Sequence, residues 1–151
     1  MMSVFTMNSS SPSDFSDFLD LSYRSDLRIL TVRWLRAVSL EELQAGFEAA
    51  RLQARAYQAT HWLVDVRRRT ELDAATSAWV AHTLLPAAAT ELAPAVLQVA
   101  YLLSPARADV LQQDAPMRAV TAAAQAPTQP YRLRTFLDEG PAVQWLLHPT
   151  D

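Results

Sequence analysis

The sequence predicts an α/β domain built on a mostly parallel sheet. Three observations carry that expectation: two alternating segments near the start, two later apolar runs too continuous for strands exposed on one side, and capped amphipathic stretches between them. In order the elements are β β α β α β α β α. This is an antiparallel hairpin followed by repeated strand–helix units, giving five strands and about four covering helices.

Phe18 to Tyr23 sets Leu19, Leu21 and Tyr23 against Asp20, Ser22 and Arg24, the period-two pattern of a half-exposed edge strand. A turn at residues 24–27 follows. Arg28 to Leu35 then alternates again, with Leu30, Val32 and Trp34 opposed to Ile29, Thr31 and Arg33. Ser39 and Glu42 have the spacing of a capping box, so a helix starts there and carries Leu43, Phe47, Ala50, Ala54 and Tyr57 as one apolar stripe to about Gln58. Gly46 inside that helix costs about 1 kcal/mol relative to alanine, a loss that close packing on the sheet would explain.

Trp62, Leu63, Val64 and Val66 form a strand covered on both faces, and it runs directly into Arg67, Arg68 and Arg69. Asp73 or Thr70 can cap the next helix, which carries Leu72, Ala75, Trp79, Leu84 and Leu85. Pro86 should bend or divide it, because its ring removes an amide and crowds the preceding turn. Ala95 to Leu103 is the most apolar strand and is expected at the sheet centre. Ser104 and Pro105 open a further helix as cap and first residue. Asp114 starts a second helical piece to about Gln125, Tyr131 to Leu137 is the last strand, and residues 138–141 open a short final helix.

Composition narrows the chemistry. The chain has 151 residues, half of them hydrophobic and 19% charged, as expected of one soluble globular domain. A formal net charge of -3 argues against a general nucleic-acid binder, which needs a basic surplus to neutralise phosphates. Cysteine is absent, which removes thiolate nucleophiles and Cys-ligated metals. All 13 basic residues are arginine, so Schiff-base chemistry and a Walker phosphate loop lack their lysine. Two glycines cannot make a glycine-rich dinucleotide loop. Residues 1–16 read as a flexible tail without a signal peptide, and 17–148 as a single domain. No apolar run reaches the roughly 20 residues of a membrane span, and the expected location is the cytoplasm.

The element order resembles the SpoIIAA-like fold shared by STAS and CRAL-TRIO domains, over about Phe18 to Leu147. The strand end Leu63-Val64-Asp65-Val66-Arg67, and the closing Phe136-Leu137-Asp138 with Ala142 to Leu146, are similar to the corresponding parts of such domains. Bacterial anti-sigma-factor antagonists of that fold place a phosphorylatable serine, in an Asp-Ser-Ser/Thr-Gly motif, just after the central strand. Asp65-Val66-Arg67-Arg68-Arg69-Thr70 stands in that place here, lacking both the serine and the glycine, with Thr70 a poor substitute. The resemblance implies a non-enzymatic binding or regulatory module that takes a protein partner without the phosphoserine switch. The alternative is a binder of a small anionic or lipid-like ligand, with no cofactor in either case.

Ligands of open parallel sheets bind beyond the carboxyl ends of the strands. That rule nominates Arg36, Asp65, Arg67, Arg68, Arg69, Thr70 and Ser104 as binding residues. The arginines suit a phosphate, a carboxylate or an acidic partner. They also suit a plain solvated loop partly paired with Asp65, Glu71 and Asp73. Asp65 would act as a base only if burial raised its pKa, and the arginines oppose that by favouring its charged form. His61, His82 and His148 lack the spacing of a metal site, and Ser104 lacks a nucleophile elbow. Trp34, Trp62, Trp79 and Trp145, with Phe47 and Tyr101, are read as core, or some of them as walls of an apolar pocket. The unpaired Phe15 to Tyr23 edge would suit a weak homodimer.

Overall fold

Alternation in the first two strands orients the whole sheet. The structure, a computed structural model, describes residues 16–69 and 73–148, so the expected tail up to residue 15 and Thr70 lie outside the described residues. Strand β1 (Leu19–Arg24) pairs antiparallel with β2 (Ile29–Trp34), Leu19 opposite Trp34 and Arg24 opposite Ile29. Strands β3 (His61–Asp65), β4 (Leu97–Leu102) and β5 (Tyr131–Phe136) then add in parallel, giving the spatial order β1-β2-β3-β4-β5. With strands in sequential order, the middle position falls to β3. The more apolar β4, expected at the centre, is instead one place along, between β3 and β5.

The helices are α1 (Leu40–Tyr57), α2 (Ala74–Trp79), α3 (Leu85–Leu92), α4 (Pro105–Gln113), α5 (Ala115–Ala124) and α6 (Glu139–Leu147). A π-helical turn over Val80–Leu84 joins α2 to α3. Among the described residues these make five helical runs where about four were expected, because the break at Asp114 separates α4 from α5. Each crossover between parallel strands advances by one strand in the same direction, so crossovers of one hand put their helices on one face. The larger core lies on that face, joining Leu30, Val32 and Trp34 of β2, Trp62 and Val64 of β3, and Leu97 and Val99 of β4 to helix residues such as Phe47 and Leu85. The opposite face is covered by α6, whose Ala142, Trp145 and Leu146 pack on Ile29, Leu63, Ala100 and Leu102. Both faces of β3 and β4 are therefore buried, as their continuous apolar runs require.

The capping box is formed: the Glu42 N–H donates to the Ser39 hydroxyl (3.1 Å) and the Ser39 N–H donates to the Glu42 carboxylate (3.0 Å). The stripe of α1 buries Leu43, Gly46, Phe47, Ala50 and Ala54. Tyr57, expected on that stripe, is 55% exposed and stacks on Tyr23 at 4.5 Å between ring centroids. Gly46 has a steric reason. A Cβ there would stand 2.6 Å from Trp34 Cη2 and 3.0 Å from Leu19 Cδ2, so only glycine lets α1 approach the sheet this closely.

Pro86 acts through the π turn that precedes it. The Leu85 N–H donates to the Val80 carbonyl, five residues back, which widens the turn before the proline ring. The extra residue rotates the buried face, which is why Ala75 is exposed while Val80, Ala81, Leu84, Leu85, Ala88 and Leu92 are buried. Among the described residues no helix is long and apolar enough to cross a membrane.

Candidate functional site

Beyond the carboxyl ends of the strands, the arginine run divides between the two faces of the sheet. Asp65, the last residue of β3, points to the face covered by α6 and is only 3% exposed. Its register partner in β2 is Arg33, whose guanidinium donates to it. Arg67 closes the pair from the other side: its backbone N–H and its Nε donate to Oδ1 (3.0 and 3.1 Å), and its Nη2 donates to Oδ2 (2.9 Å). Glu139, in the first turn of α6, accepts from Arg33 at 3.3 Å and lies 3.5 Å from Arg67. Two guanidiniums and two carboxylates thus tie the end of β3 to α6.

Burial pushes the Asp65 carboxyl up. The side-chain and backbone hydrogen bonds of Arg67, with the charges of Arg67 and Arg33, outweigh it and hold the carboxyl below its ordinary value. The group is a carboxylate saturated by donors, an arrangement suited to an ion-pair clasp rather than to proton abstraction.

Val66 turns to the helix-covered core and the chain then folds back, the Arg69 N–H donating to the Val66 carbonyl at 3.2 Å. That turn sends Arg69 under the helices, with its guanidinium 5.8 Å from the Trp34 ring centroid. Among the described residues Arg69 forms no ion pair. Desolvation lowers its pKa, opposed by Tyr101 and Asp73.

Arg69 lines a cavity of about 80 Å³ between the sheet and the helices. The wall is largely apolar: Val80, Ala81 and Leu85 come from the π turn and α3, Met117 and Val120 from α5, and Leu133 from β5. Thr76, Ser77, Tyr101, Thr121 and Thr135 add hydroxyls. An outer hollow of about 280 Å³, lined by residues 37–40 and by Asp73, shares Leu43, Arg69 and Thr76 with the inner one. Arg69 therefore stands in the wall common to both. A second cation is near. Arg107, buried in the first turn of α4, has its pKa pushed down to about 10 by desolvation and then by the charge of Arg69, with Tyr101 opposing. Burial raises the Tyr101 phenol well above its ordinary value, and the two arginines only partly offset that.

The remaining nominated residues serve the frame. Arg36 bonds Glu42 through Nη1 and Nη2 (3.2 and 3.1 Å) and Asp17 (2.9 Å), which joins the end of β2 to the start of α1. Arg68 is exposed and, among the described residues, forms no ion pair. The Ser104 hydroxyl accepts from the Arg107 N–H at 3.2 Å as the cap of α4. Thr70 lies outside the described residues. Sequence reasoning missed Arg33 and Arg107, whereas Tyr101 was among the aromatics it read as core or as pocket walls. Arg33 was within reach, since the alternation that buries Trp34 puts Arg33 on the face of Asp65. Arg107 sits on a helix with little amphipathic pattern, and its only signal is the Ser104-x-x-Arg107 spacing of a cap.

Among the described residues no cluster of three or more His, Asp or Glu side chains could hold a metal ion. No family model, no curated protein and no solved structure matches the chain.

Proposed function

We propose that the protein is a cytoplasmic, non-enzymatic binding module of SpoIIAA-like build, which takes a small ligand at the carboxyl edge of its sheet. One observation carries this reading: an apolar cavity meets a half-buried arginine that has no ion-pair partner among the described residues. A solid core would fill such a space, because each void forfeits packing energy. A π turn forms part of the wall, and such turns recur at functional sites. The Asp65 clasp offers a counter-example on the other face, where Asp65, Arg33, Arg67 and Glu139 match one another within the protein.

Native mass spectrometry of the purified chain, with thermal unfolding against a panel of carboxylates, phosphates, nucleotides and lipids, tests the reading. A retained mass, or a raised midpoint, that is lost when Thr121→Leu fills the cavity supports it, since ligand bound to the folded state must raise stability. No retained mass and no shift across the panel would refute it.

A further inference from the structure

Resting on that reading of the cavity, we infer the class of its ligand: a small monoanion with a carboxylate head on Arg69 and an aliphatic body of a few carbons in the space beyond. Charge comes first. Arg69 lies between the inner cavity and the outer hollow, held over Trp34, and no described carboxylate pairs with it. Holding a guanidinium partly out of water is costly, and an anion from outside offsets that cost through charge-assisted hydrogen bonds to its planar fork.

Size limits the body. About 80 Å³ is roughly half the 150 Å³ that admits benzene, and close to three times the roughly 30 Å³ that a water occupies in the liquid. A body seated wholly in this space cannot be a long acyl chain or a fused ring system. The walls contributed by Val80, Leu85, Met117, Val120 and Leu133 favour an apolar body, with the hydroxyls of Thr76, Ser77, Tyr101, Thr121 and Thr135 set among them.

The outer hollow decides the head. Asp73 lines it, although that carboxylate is turned onto its own helix, accepting from the Thr76 N–H (2.8 Å) and the Thr76 hydroxyl (3.0 Å). A carboxylate beside the rim penalises a dianion more than a monoanion, which favours a carboxylate ligand over a phosphate.

Calorimetric titration and thermal unfolding of the whole chain, at constant ionic strength, compare butyrate, 1-butanol and inorganic phosphate. Butyrate should bind on the order of tenfold or more tighter than 1-butanol, the ratio expected of one charge-assisted hydrogen bond. Arg69→Gln should reduce butyrate to the level of 1-butanol, Arg68→Gln should leave it unchanged, and Thr121→Leu should weaken both ligands together. Should Arg69→Gln fail to fold, the Thr121→Leu comparison with Arg69 intact still reads the body of the ligand. Equal binding of butyrate and 1-butanol, phosphate binding as well as butyrate, or loss of butyrate in Arg68→Gln would overturn the inference. A different ligand from the broad panel, displaced by Thr121→Leu, would overturn the carboxylate class while sparing the cavity reading. Silence of every ligand together with no retained mass would defeat both.

Discussion

The Tyr131 hydroxyl donates a 2.7 Å hydrogen bond to the carbonyl of Ala81, fifty residues earlier in the chain. Ala81 is buried within the π turn. Neither backbone donor in helical register is free for its oxygen: Leu85 gives its N–H to Val80, and Pro86 has none. The phenol on β5 thus completes the turn that the proline imposes, and Ala81 itself lines the cavity. Tyr131→Phe should lower stability by about 1–3 kcal/mol, the usual cost of orphaning a buried acceptor. In urea the midpoint should fall with an unchanged slope. Burial also pushes the Tyr131 phenol up to about 12. A folded pKa above the unfolded value of about 10 gives stability that is complete below about pH 10 and is lost as pH rises toward 12. Tyr131→Phe should therefore also flatten that alkaline loss.

Gly46→Ala should destabilise the protein although alanine is the better helix former by about 1 kcal/mol. The added Cβ meets the end of a rigid, fully buried indole at 2.6 Å, and overpacking of this kind costs about 1–3 kcal/mol. Thermal unfolding of Gly46→Ala, alone and combined with Trp34→Phe, checks the cause. The double variant should lose less than the sum of the two singles.

Asp65→Asn should cost about 2–3 kcal/mol, below the roughly 3–5 kcal/mol of a fully buried broken pair, because Arg33 and Arg67 keep some solvent contact. The folded carboxyl lies below its unfolded value, so its stabilisation is complete above about pH 4 and is lost as the pH falls through the folded pKa. Acid titration of unfolding should show a shallower acid limb in Asp65→Asn than in the natural sequence. An unchanged limb would mean that the clasp does not contribute.

Period two in β2 predicted which side of the sheet buries Trp34, and the Ser39 and Glu42 pair predicted where α1 begins, because both signals are local. The strand order was less legible, since the position of β3 in the middle depends on every crossover stepping the same way. Pro86 announced a disturbance, but the π register relies on a hydroxyl from β5. Arg67, Arg68 and Arg69 looked equivalent in sequence. A single turn after Val66 gives one to the Asp65 clasp, one to solvent and one to the cavity. The cavity itself left no local trace, because it is a mismatch of side-chain volumes among helices α1 to α5, the π turn and strands β4 and β5.

Backbone amide NMR of the whole chain, titrated with butyrate, locates the site most directly. Binding beside Arg69 predicts shifts concentrated at Arg69, Thr76, Ala81, Thr121 and Leu133, with Asp65, Arg67 and Glu139 left in place. Shifts confined to the Asp65 side, or spread over the exposed arginines alone, would contradict a ligand site beneath the helices.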